Sequence, residues 1–164
     1  MTITVDVDTY ITLADANAYA APRGNAAWDA ATDAQKEFAL TEAAEYLDSS
    51  YAFKGKITST AQVLAWPRAE VTDAEGRTID SAVTPDKIGY AQTRLAFLRL
   101  AGPLVTVPDS GKVTELQAGS VKMKFADGQE VNEADKYAEI DRLLYGLYDT
   151  RAGQSLMNAP LTKA

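Results

Sequence analysis

The sequence predicts a mainly α fold, a helical bundle of about four helices with a small β-hairpin and a flexible C-terminal tail. Three observations predict it. Apolar residues recur at helical spacing in separate stretches, most clearly Leu40, Ala43, Ala44, Leu47 and Tyr51. Capping residues open those stretches: Thr12 with Asp15, Thr32 with Gln35, and Thr84 followed by Pro85. Only between Val113 and Phe125 does the period shorten to that of a strand. The chain has 164 residues, 46 % of them apolar, enough for one domain with its own core. A single helical domain over residues 1–150 and a flexible or partner-ordered tail over 151–164 are expected.

In order along the chain, Ile3, Val5 and Val7 alternate with polar residues, as in a short strand or extended arm. A first helix should run from Leu13 to Ala21, bounded by Pro22 and Gly24. A second should run from Asp33 to Ser49, with Phe38 widening its apolar face. The stretch FKGKITSTAQVLAWPRAEVTDAEGRTID follows. Ser59 or Thr60 is suited to cap a short helical turn through Gln62 to Ala65. Pro67 would end that turn and hold Trp66 extended, and Gly76 predicts a tight turn. Ile79 is expected to tuck back onto the core. A third helix should begin with Thr84 as its cap and Pro85 in first position. Its apolar face is Ile88, Ala91, Leu95 and Leu98, and Gly102-Pro103 stops it. The hairpin spans residues 113–125, turning between Gln117 and Ser120. A last helix follows the cap candidates Asn132 and Asp135. Tyr137, Ile140, Leu144 and Leu147 line one side of it, extended by Leu143 and Tyr148.

Composition removes several chemistries. There is no cysteine and no histidine. That excludes disulfides, thiol nucleophiles, a Ser-His-Asp hydrolase and a zinc enzyme within this chain. Magnesium chemistry on carboxylates alone has no motif behind it. No catalytic residue, cofactor or metal site is therefore expected. The paired acids, Asp6 with Asp8, Glu42 with Glu45, and Glu45 with Asp48, read as solvated surface. The net charge of −7 is uneven: residues 1–50 hold nine acids and two bases, and the rest hold equal numbers of each. That argues against tight non-specific phosphate binding, which needs clustered Lys and Arg. No stretch is apolar enough to span a membrane. MTITVDVD lacks the basic segment that opens a signal peptide, so the protein is expected to be made and used in the cytoplasm, or in something assembled there.

Two groups of residues remain as binding candidates. Tyr51, Phe53, Lys54, Lys56, Trp66 and Arg68 combine rings with cations, as base-stacking sites do. The competing reading makes Phe53, Trp66, Pro67 and Arg68 a loop anchor, because burying a large ring contributes roughly 1.5–3 kcal/mol. The second group is the hairpin with the end of the chain. Lys122 and Lys124 share one hairpin face, and Tyr145, Leu147, Tyr148, Leu156 and Met157 are interface candidates.

YITLADANAYAAPRGNAAW, ALTEAAEYLDSSYAFKG, LAWPRAEVTDAEG and TPDKIGYAQTRLAFLRLAG together resemble a family of tailed-phage proteins. Its members are often labelled DnaT-like single-stranded-DNA-binding proteins, and they are similar to the head–tail connector (neck adaptor) proteins of phages. The resemblance covers Tyr10 to Gly102, and the hairpin more loosely. It implies a structural virion protein, assembled in the host cytoplasm, that binds beneath the portal protein. Neighbouring copies would form a ring of about twelve. Such an adaptor extends the DNA channel and supports the next neck or tail-completion protein. DNA would pass through without specific binding. Residues 134–148 and the tail would then dock on the portal. The alternative is a single-stranded-DNA-binding accessory protein, which needs Lys54, Lys56, Arg68, Lys122 and Lys124 on one face beside exposed rings.

Overall fold

The computed structural model describes residues 3–104, 115–118, 121–124 and 133–151. Its fold is mainly α. Helices α1 (Leu13–Ala20), α2 (Ala26–Ala30), α3 (Asp33–Ser50), α4 (Asp86–Ala101) and α5 (Glu133–Leu143) are joined by three small antiparallel strand pairs. The pairs are β1 (Tyr51–Phe53) with β6 (Tyr148–Arg151), β2 (Lys56–Ile57) with β3 (Arg68–Ala69), and β4 (Glu115–Ala118) with β5 (Val121–Lys124). Among the described residues, no helix is long and apolar enough to cross a membrane.

The long helices begin where their caps lie. Thr12 Oγ1 accepts the Asp15 N–H at 3.0 Å. Thr32 and Gln35 form a reciprocal capping box, so α3 starts at Asp33 with two of its orphan donors satisfied. The third long helix differs. Pro85, not Thr84, is the N-cap of α4, and Asp86 is its first residue. Proline has no side-chain acceptor, so this end has no side-chain cap. The Thr84 hydroxyl is buried without a hydrogen-bond partner among the described residues.

The α3 and α4 helices pack along each other and carry the core. Leu40, Ala43 and Leu47 of α3 meet Ile88, Ala91 and Leu95 of α4, all fully buried. Alanine and glycine at these contacts let the backbones approach. Gly89 lies so close to the N-terminal segment that a Cβ there would stand 3.2 Å from Ile11. The α5 helix adds Tyr137 and Ile140, and the turn after it adds Leu144 and Leu147. In the middle of this apolar layer sits Gln92, fully buried. Its Oε1 accepts the Tyr10 N–H at 2.9 Å, and its Nε2 donates to Thr9 Oγ1 at 2.7 Å and to the Leu40 carbonyl at 2.8 Å. One side chain thus ties the N-terminal segment to both central helices.

Several expectations are corrected. Ile3 to Val7 do not form a strand. The segment turns, with Asp6 at φ 65° and an isolated bridge from Val5 to Thr9. The Thr4 N–H is held by Asp8 at 2.9 Å, a local hydrogen bond that competes with strand pairing. No helical turn forms at Gln62–Ala65. The Gln62 amide instead donates to the Leu64 and Pro67 carbonyls and holds an irregular loop. The short α2 was not expected. It is nucleated by Asn25, which accepts the Trp28 N–H at 2.9 Å, and it buries Trp28 against Phe97. The last helix ends at Leu143, and Tyr148–Arg151 form strand β6 instead of helix and loose tail. Residues 152–164 lie outside the described residues.

Candidate functional site

The FKG and AWPR segments form one unit. Leaving α3, the chain extends as β1 and turns at Gly55, where φ is +74°. A Cβ on Gly55 would collide with the Ala69 carbonyl and Val71, so β2 and β3 approach here only because the residue is glycine. Trp66 is fully buried and meets Phe53 edge-on at 5.8 Å. Its peptide bond to Pro67 is cis. Arg68 donates from Nε to the Lys54 carbonyl at 2.7 Å, and from its two terminal nitrogens to the Ala65 and Gly55 carbonyls at 3.1 and 2.9 Å. Its guanidinium is therefore spent on stapling both sides of the loop. Lys56 pairs with Glu70 at 2.8 Å on the surface. The rings and cations that resemble a base-stacking site in sequence do not form one here, because Phe53 and Trp66 face the core.

Beneath this loop, Asp48 accepts the Ala65 N–H at 2.9 Å and the Tyr10 hydroxyl. The expectation of a solvated Asp48 is thus corrected. Burial holds its carboxyl above the ordinary carboxylate value, against the pull of those hydrogen bonds and of Arg68. Burial, reinforced by the neighbouring Asp48 charge, likewise pushes the Tyr10 hydroxyl up.

The chain-end candidates divide. Leu147 is buried, and its carbonyl accepts the Lys54 N–H at 3.0 Å. Tyr148 packs edge-on against Tyr51 at 5.0 Å. Leu147 belongs to the internal core, which corrects its reading as an interface anchor, while Tyr148 is half-buried against that core. Tyr145 is 70 % exposed. Lys122 and Lys124 occupy alternate positions of β5, opposite Gln117 and Glu115. Leu156 and Met157 lie outside the described residues.

A third region, not singled out from the sequence, is a cavity of about 660 Å³ between α1 and the start of α4. Ile11, Gly89, Tyr19 and Tyr90 line it together with the exposed Asp15 and Asp86. The two tyrosine rings stack at 4.5 Å with 16° between their planes. The Arg23 guanidinium lies 3.5 Å over the Tyr19 ring. Two groups that close cannot share one ring face, so Arg23 and Tyr90 cover opposite faces of Tyr19. Arg94 donates to the Tyr19 hydroxyl at 3.1 Å and pairs with Glu139 at 2.7 Å. Arg99 pairs with Glu42, and Arg77 with Asp73 at 2.8 Å and Glu75 at 3.0 Å. Most described arginines are thus already neutralised or stacked. Among the described residues no group of three or more acids is placed to hold a metal ion.

A family model described as "Putative DnaT-like ssDNA binding protein" matches residues 2–162. Neither a curated protein nor a solved structure matches the chain.

Proposed function

We propose a function from one premise: the chain belongs to the family described as "Putative DnaT-like ssDNA binding protein", whose model spans nearly all of it. The reading with most support is non-catalytic binding of single-stranded DNA, and that family match is the observation that carries it. The geometry constrains how such binding would work. Bases cannot stack on Phe53 or Trp66, and Arg68 is consumed by carbonyls. Phosphate contacts would fall to Lys54, Lys87 and Arg142, which have no acidic partner among the described residues. Lys122 and Lys124, on the β4–β5 ribbon, would add to them. Few contacts and an acidic first third make the binding weak and salt-sensitive. With about three to five phosphates engaged, log K should fall against log salt with a slope of about −2 to −3.5. Fluorescence anisotropy of a labelled oligonucleotide, titrated at several salt concentrations, measures this. No binding at low salt would overturn it.

The second reading is a head–tail connector adaptor beneath a portal ring, with neighbouring copies in a ring and a further neck protein attached. The segments between Tyr10 and Gly102 that resemble such adaptors support it. So does the inward placement of the rings, which leaves an acidic exterior over the first third of the chain. Like charge there would let DNA slide past without sticking. Mixing the protein with its portal and imaging the product tests it. Portals bearing a symmetric extra layer would establish the adaptor role. Bare portals, under conditions where other neck proteins bind, would refute it.

A further inference from the structure

The cavity between α1 and α4 has a chemistry that neither reading uses. Its lining arginine is committed: Arg23 is stacked on Tyr19 and donates to the Tyr19 carbonyl, while Arg94, outside the lining, is held by the Tyr19 hydroxyl and Glu139. Its carboxylates are not. Neither Asp15 nor Asp86 forms an ion pair among the described residues, and Asp15 has only a hydroxyl, Thr12, as side-chain partner. The Tyr90 ring is half-buried, lines the cavity and has Tyr19 on one face only. The site therefore offers a flat π-face and two unpaired carboxylates, against one stacked cation, Arg23. A phosphate would be repelled. A planar cation with several N–H donors would satisfy both.

We propose that this cavity receives an arginine side chain presented by a partner protein. The guanidinium would lie on the free face of Tyr90, as Arg23 already lies on the far face of Tyr19, making an Arg–Tyr–Tyr–Arg stack. Its N–H groups would reach Asp15 and Asp86. Lysine supplies charge without the plane, so it would fit less well. The net charge of −7 over residues 1–50, which include α1, attracts a basic partner.

N-acetyl-arginine amide, titrated into the ¹⁵N-labelled protein, should shift the Gly89 and Tyr90 amide resonances. Its citrulline counterpart, planar but uncharged, should bind at least about tenfold more weakly. The exposed, near-isosteric Asp86→Asn change should weaken arginine binding by a similar factor, as should Tyr90→Ala, while Asp29→Asn on α2 should leave it unchanged. Equal weakening by Asp29→Asn would reduce the effect to general attraction and overturn the proposal. So would equal binding of citrulline. Displacement of the arginine amide by an unstructured oligonucleotide would assign the groove to bases instead and also overturn it.

Discussion

At Trp66 a nucleic-acid signal and a packing role compete for one side chain, and packing has it. The ring is fully buried against Phe53, so Trp66→Ala should cost about 3–5 kcal/mol in urea denaturation. A variant of unchanged stability that had lost DNA binding would restore the stacking role. Gln92 gives the opposite lesson, a polar side chain that belongs to the core. Gln92→Leu would orphan the Tyr10 N–H and remove one donor each from the Thr9 hydroxyl and the Leu40 carbonyl, which keep Ile11 and the α3 ladder as partners. It should cost roughly 1–3 kcal/mol although it adds apolar volume; a neutral result by the same measurement would show that water replaces the amide. Asp48 sets a pH dependence. Because its carboxyl is raised in the fold, the folded state holds that proton more tightly than the unfolded chain. Its contribution to stability is greatest below the unfolded value and is lost as pH rises through the folded one. Stability should therefore decline above about pH 4 in the parent chain and decline less in Asp48→Asn. Denaturation curves at pH 4 and pH 7 give both slopes, and parallel slopes would remove Asp48 as the cause.

At the scale of elements, the β1–β6 pair decides where the chain can be cut. Thr150 and Arg151 pair with Ala52 and Tyr51. Truncation after Tyr148, which removes that pairing, should lower the midpoint of unfolding relative to truncation after Arg151. If the connector reading holds, truncation after Arg151 should weaken portal attachment, because the expected docking element was residues 134–148 with the tail to Ala164. The turn between β1 and β2 makes a separate prediction. Gly55→Ala places a methyl against the Ala69 carbonyl at positive φ, and should cost about 1–3 kcal/mol. A silent substitution there would mean that β2 and β3 can separate without loss.

For the whole molecule, charge and burial point in different directions from the family description. Most described arginines are paired, stacked or bonded to carbonyls, and the excess acid lies in the first third. A protein built this way binds polyanions weakly and basic proteins readily. Salt-dependent oligonucleotide binding and portal decoration therefore separate the two proposed functions without ambiguity, since one depends on the few free lysines and the other on protein surfaces.

The sequence by itself determined the helical class, the starts of α1 and α3, the turn at Gly76 and the apolar faces of α3 and α4. These depend on neighbours three or four residues apart, which a single chain displays directly. It did not reveal the Gln92 clamp, the β6 pairing, the Tyr19–Tyr90 cavity or the turn at Asp6. The first three join residues some 70 to 100 positions apart, and the fourth replaced an alternating strand pattern with a side-chain hydrogen bond. Tertiary structure alone decided which rings are hidden and which carboxylates stay free. A ring's exposure depends on what the rest of the chain lays over it, and the local pattern around Trp66 is the same whether it faces the core or a base.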